Sequence, residues 1–250
     1  MLKMMTVQKQ VKKDDARFAI LLAIALVFFA RNFLVASTVG DDPDEILAKV
    51  RRNQTSQHRV LDGQLRHGET AIPFRLTMDG GEIAYEFSNP DEALVLHLDG
   101  KGSRLEQITK NGTERVVSEA QYDHAIRGTE ITCEDLAMRF LYWPVAKIAG
   151  EEIMLTRNCW KLRVEPGAVK NSQYGFVMLW IEKQSGGLAQ IETYDRAGKL
   201  VKRFKATDVQ RAEGGGYILK RMRIQRMKDG KPADPTPTYL EITKPADGAE

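Results

Sequence analysis

AIPFRLTMDGGEIAYEF, residues 71–87, decides the fold. Ile72, Phe74, Leu76 and Met78 fall on every second position, Asp79-Gly80-Gly81 supplies a turn, and Ile83, Tyr85 and Phe87 resume the alternation. A period of two on either side of a glycine-bearing turn is a β-hairpin with one apolar face. The pattern extends in both directions from there. ALVLHLDGKGS (93–103) sets Leu94, Leu96 and Leu98 on one face before another turn, and KNGT (110–113) marks a further one. From about residue 151 to the end the chain reads as a β-meander, with turns at Ser185-Gly186-Gly187 and Arg196-Ala197-Gly198-Lys199. Tight turns at this spacing imply antiparallel pairing and not βαβ units. The expectation is a mainly β (α+β) fold of roughly nine to eleven strands and two or three helices, in a sheet long enough to curl. FVMLWI (176–181) breaks the alternation and is expected to be covered on both sides.

The helices are few. DDPDEILAKVRRN (41–53) carries Asp42 as a cap and Pro43 at the first helical position, with Ile46, Leu47 and Val50 on one narrow face. CEDLAMRFLYWP (133–144) is the more informative segment: between Leu136 and Trp143 only Arg139 is charged. A helix apolar nearly all round belongs in an apolar surrounding, and the concave face of the curled sheet is the one available. The spacing predicts a single helix over 133–143, begun by a Thr132/Asp135 capping box and ended by Pro144. Leu136, Phe140 and Trp143 then face one wall, Met138, Leu141 and Tyr142 the other, and Asp135 with Arg139 form a thin polar strip at i and i+4.

Charge and composition narrow the function. The net charge is +3 over 250 residues, but residues 1–36 hold six basic and two acidic side chains, so the remainder is close to neutral and lacks the footprint of a nucleic-acid binder. A basic opening followed by FAILLAIALVFFA (18–30) has the order and length of a signal peptide, and is short for a spanning helix. An uncleaved inner-membrane anchor is the alternative. No Cys lies just after the apolar run, so no lipid attachment is expected on the chain itself. In an exported protein Cys133 and Cys159 are a candidate disulfide, with two buried free thiols as the alternative. None of the four histidines stands at ligand spacing to a Cys, and GxSxG, HExxH, Walker and Rossmann motifs are missing, so no metal, cofactor or catalytic residue is assigned. Arg221 and Arg223, in a basic run on the C-terminal strands, are a candidate docking patch for an acidic partner or anionic head groups.

EDLAMRFLYWP, CWKLRVEPG and VMLWIEKQSGGLAQIETYDRAGKLVKRF together resemble the exported outer-membrane lipoprotein-sorting proteins of the LolA-like superfamily, over about residues 40–245. The resemblance implies an incomplete β-barrel with a helical lid, in the periplasm, whose cavity accepts acyl chains of lipoproteins. It implies delivery from an inner-membrane release complex to an outer-membrane receptor by a monomeric, non-enzymatic carrier. No motif in the sequence matches that carrier's lid-closing arginine. On this reading residues 1–36 are the signal peptide or anchor, 40–245 the lipid-binding domain and 246–250 a tail. The expected acyl-chain contacts are Phe74, Leu76, Leu94, Leu96, Met178 and Trp180, under a cover carrying Leu136, Phe140 and Trp143. Phospholipid is the other expected cargo. A lipoprotein sensor, a tethered lipid shuttle, a structural envelope module and an exported esterase are the competing readings.

Overall fold

The computed structural model describes residues 41–168, 171–211 and 217–245; the expected signal peptide or anchor (1–36) and the expected tail (246–250) lie outside them. The chain opens with helix α1 (Pro43–Thr55), whose first turn is capped by the Asp42 carboxylate accepting from the Asp44 N–H at 3.0 Å. Six strands follow as an N-terminal meander: β1 (His58–His67), β2 (Thr70–Asp79), β3 (Glu82–Phe87), β4 (Glu92–Leu98), β5 (Ser103–Thr109) and β6 (Glu114–Val116). A largely non-strand segment over 117–144 contains the short helix α2 (Cys133–Ala137). The C-terminal meander comprises β7 (Val145–Met154), β8 (Arg157–Glu165), β9 (Phe176–Glu182), β10 (Leu188–Tyr194), β11 (Leu200–Arg211) and β12 (Tyr217–Lys228). β13 (Lys231–Pro232) folds back on β12, and β14 (Thr238–Pro245) ends the described chain.

All these strands belong to one antiparallel sheet, ordered β6-β5-β4-β3-β2-β1-β14-β12-β11-β10-β9-β8-β7, with β13 beside β12. The fourteen strands exceed the expected count because VAKIAG (145–150) pairs as the start of β7, and the short β6 and β13 pair as well. β14 joins the two meanders by pairing with β1 on one side and β12 on the other. The sheet does not close: β6 and β7 are its two ends. It is the curled sheet that the alternation and length implied, and the incomplete barrel that the resemblance implied.

Inward-facing residues of both meanders form one core with α1 and the 117–144 segment. Phe74, Leu94, Leu96, Leu105, Leu162, Leu179, Phe204 and Ile224 come from strands, Ile46, Leu47 and Val50 from α1. β9 is covered on both faces, as its unbroken apolar run demands. Val177, Leu179 and Ile181 enter the main core, while Met178 and Trp180 pack with Cys159 in a second cluster on the opposite face.

The seam between the meanders is tight at Gly63, where β1 shifts register against β14. A Cβ there would lie 2.6 Å from the Glu241 carbonyl oxygen and 2.7 Å from the Phe74 ring. The ring itself is fixed by edge contacts with Tyr85 and Phe87, at centroid distances of 5.8 and 6.0 Å. Gly63→Ala is therefore expected to destabilise by about 1–3 kcal/mol, read as a lowered urea midpoint with unchanged slope.

Candidate functional site

The segment between the sheet ends crosses the concave face and fills it. Thr132 caps α2: its hydroxyl accepts from the Asp135 N–H, and the Asp135 carboxylate accepts from the Thr132 N–H at 2.8 Å. The expected capping box is present, but the expected single helix is not. Met138 adopts a left-handed conformation (φ 46°, ψ 37°), α2 ends there, and a 3-10 turn over Arg139–Tyr142 completes the segment. Two contacts from α1 favour the break. The Arg51 guanidinium donates to the Leu141 carbonyl at 2.6 Å, and the Gln54 amide donates to the Met138 sulfur at 3.2 Å. The break dissolves the expected Asp135–Arg139 strip. Arg139 lies over the Tyr122 ring at 4.6 Å and donates to the Asn171 carbonyl, whereas Asp135 turns into the core.

There Asp135 meets Lys202, which projects from β11 in phase with the inward Phe204 and Ala206. The two side chains are 2% and 6% exposed. Tyr174, in the turn before β9, donates its hydroxyl to the other Asp135 oxygen at 2.6 Å. Burial, reinforced by the Asp135 charge, holds the Tyr174 phenol well above its ordinary pKa, so it is a donor across the physiological range. The neighbouring Glu134 carboxylate is buried and accepts from Ser172 and from the Gln173 N–H. A buried pair with its remaining lone pairs satisfied fixes geometry more than it adds net stability. Sequence reasoning missed Lys202 and Tyr174. The signal available was a lysine occupying an inward position of an alternating strand.

Seven of the nine expected acyl-chain contacts, Phe74, Leu76, Leu94, Leu96, Leu136, Phe140 and Trp143, share the main core. Met178 and Trp180 do not: they lie on the opposite face of β9, with the Trp180 indole N–H donating to Glu152 at 2.8 Å. The inward residues of that strand are Val177, Leu179 and Ile181. The same division explains the cysteines. Cys133 sits in the main core and Cys159 in the opposite cluster, so they form no disulfide and are free buried thiols. Arg221 and Arg223 lie on β12, with the Arg221 guanidinium donating to the Thr207 hydroxyl. Cross-strand pairing sets Arg223 between Lys205 and Tyr239.

Among the described residues the concave face is filled by side chains. Leu96, Ala137, Leu141, Leu162 and Leu179 have no exposed surface. A cavity of about 170 Å³ beside the start of α2, lined by Leu94, Cys133, Glu92 and Arg127 among others, is below the ~300 Å³ of typical ligand pockets. A larger cleft of about 510 Å³ sets three carboxylates, Glu119, Asp123 and Glu134, beside Ala120 and Tyr122, a mixed lining unsuited to a bare hydrocarbon. Among the described residues no three His, Cys, Asp or Glu side chains are grouped to hold a metal. No described helix is long and apolar enough to cross a membrane.

An open antiparallel sheet wrapped around a connecting plug is the LolA-like fold, and solved structures agree. The chain superposes on a DUF1329 family protein from Desulfovibrio piger with TM-score 0.63 at 16% identity, covering 84% of this chain and 95% of that one. A domain provisionally named an outer membrane lipoprotein-sorting protein, from Vibrio parahaemolyticus, gives 0.66 at 16%, covering 83% and 94%. A LolA superfamily protein from Nitrosomonas europaea gives 0.57 at 14%, covering 82% and 94%. No curated protein matches the sequence. Residues 110–245 match a family model described as "-like: Uncharacterized protein", and the chain belongs to that family.

Burial raises the Cys133 thiol to about 11, so it stays protonated at pH 8. Alkylation of Cys133 there is expected to be roughly 200-fold slower than at an ordinary thiol with pKa about 8.5, measured by iodoacetamide labelling and mass spectrometry.

Proposed function

We propose that the protein is a non-enzymatic periplasmic carrier that takes acyl chains of lipoproteins, or other lipids, onto its concave face and delivers them to the outer membrane. The observation that carries this reading is the plug: an apolar segment broken at Met138 and bonded to the barrel through a few polar contacts. The cavity beside α2 is too small for an acyl chain, so on this reading the chain enters by displacing Leu136, Phe140, Leu141 and Trp143. Energetically the exchange is close to balanced. Four such side chains contribute about 6–12 kcal/mol of burial, and roughly a dozen methylenes at about 0.8 kcal/mol each contribute about 10 kcal/mol. A near-even exchange lets cargo be both taken and given up. The LolA-like fold supports the reading, and Arg51 on α1 is in position to act as the closing arginine that no sequence motif marked.

Removing a charge-assisted bond such as Arg51 to Leu141, worth about 1.5–3 kcal/mol, favours opening. Arg51→Ala is expected to accelerate Cys133 alkylation by about tenfold or more while Cys159 labelling stays unchanged. Native mass spectrometry of the purified protein is expected to show bound lipid or, after addition, bound acylated peptide; a chain that carries neither overturns the carrier.

Arg221 and Arg223 are proposed as the docking patch, facing an acidic partner or anionic head groups. At about 1 kcal/mol per basic residue near an anionic surface, Arg221→Glu with Arg223→Glu is expected to weaken binding to phosphatidylglycerol vesicles by more than about tenfold. Unchanged binding to both vesicles and protein partners removes the patch.

A further inference from the structure

The plug covers more than hydrocarbon. Lys202 and Tyr174 belong to the wall and not to the plug. Lys202 lies within β11, and Tyr174 is held next to the sheet by the Gly175 N–H donating to the Tyr194 carbonyl at 2.8 Å. Directly across from Lys202 on β10 stands Thr193, which has no exposed surface. Its hydroxyl has no hydrogen-bond partner among the described residues. On the other side Lys202 is registered with Arg226 of β12. The wall therefore presents an ammonium and a phenol around one point, with a free hydroxyl beside the ammonium on the neighbouring strand. In the closed form a single carboxylate, that of Asp135, occupies this point by bonding both Lys202 and Tyr174.

Asp135 and Glu134 both ride on α2, so displacement of the plug takes both acids away and leaves Lys202 without the carboxylate it bonds. A desolvated lysine without a partner is far costlier than one paired in place. A neutral hydrocarbon does nothing to relieve it, whereas an oxyanion at the head of the hydrocarbon does.

We infer that Lys202, Tyr174 and Thr193 form a head-group site selecting an anionic amphiphile, with Asp135 as its built-in mimic in the closed form. The inference rests on the carrier reading and narrows its cargo to lipids whose head carries a carboxylate or phosphate beside the acyl chain. In the loaded form Lys202 and Tyr174 donate to the head group, and the Thr193 hydroxyl gains the acceptor it lacks.

The test compares palmitate and lysophosphatidate with the uncharged methyl palmitate and monopalmitoylglycerol, by displacement of a fluorescent fatty-acid probe from the purified protein. A charge-assisted hydrogen bond corresponds to about 10–100-fold in affinity, so both anions are expected to bind at least tenfold tighter than their neutral counterparts. Preference for only one anion identifies the head group as carboxylate or phosphate. Lys202→Met alone strands Asp135 and risks misfolding, so the paired variant Asp135→Asn with Lys202→Met is used. It is expected to retain methyl palmitate and lose the anion preference. Equal affinity for charged and uncharged lipids in the native protein overturns the head-group site and leaves the carrier standing. Binding of none of the four overturns the carrier and, with it, this site.

Discussion

The molecule is organised by one topological constraint. Because β14 inserts between β1 and β12, the two meanders join at their outer strands, and β6 and β7 become opposite ends of the sheet. The chain must still pass from β6 to β7, and the 117–144 segment is what makes that passage. It can do so only over the concave face, which would otherwise be exposed hydrocarbon. The plug is therefore a consequence of the connectivity, and its apolar composition follows from where it is forced to lie.

What the crossing segment cannot do is satisfy its own backbone, since neither a short helix nor a 3-10 turn pairs all its ends. The remedy comes from side chains outside it. Arg51 reaches the Leu141 carbonyl, and the Thr132/Asp135 box closes the N-terminus of α2. α1 is in turn held to the β9–β10 turn by the Lys49 ammonium donating to the Lys183 and Gln184 carbonyls, and by Asn53 donating to the Ser185 carbonyl. Gly186 permits this close approach: with φ +70° and a Cβ position 2.7 Å from the Asn53 amide, the site does not accommodate a larger residue without displacement. A displaced plug thus leaves α1 attached to the barrel.

Most of the longer strands were legible because they carry their own period. Phe74 and Leu76 with Ile83 and Phe87 announce a hairpin without reference to anything distant, and the double-sided burial of β9 follows from its unbroken apolar run. The plug's interior was less legible. Nothing local distinguishes Met138 from a helical methionine; its left-handed geometry is coupled to contacts from Arg51 and Gln54, far away in the chain. Met178 and Trp180 were assigned to the wrong face for a related reason. Where every residue of a strand is apolar, alternation carries no sign, and the side facing the core is set by the neighbours of β9. The cysteine pair failed on the same point, since a disulfide needs both thiols on one side of the sheet. Lys202 and Tyr174 are meaningful only through Asp135, which reaches them across the fold.

Glu130 fixes one end of the plug to the sheet. Its carboxylate accepts from the N–H of Arg226 on β12 and of Thr238 on β14, at 3.1 and 3.4 Å, where the pairing of β12 with β14 ends at Ile224 and Thr238. It fills the fork where two strands diverge, doing for their backbones what a further strand would do. Withdrawing it strands two amide protons in the protein interior, so the stretch up to Glu130 is tied down. At the far end Pro144 leads straight into β7. On the proposed carrier reading, the part that would move is then a short bail held at both ends, which would lift without leaving the barrel and fall back into the same seat.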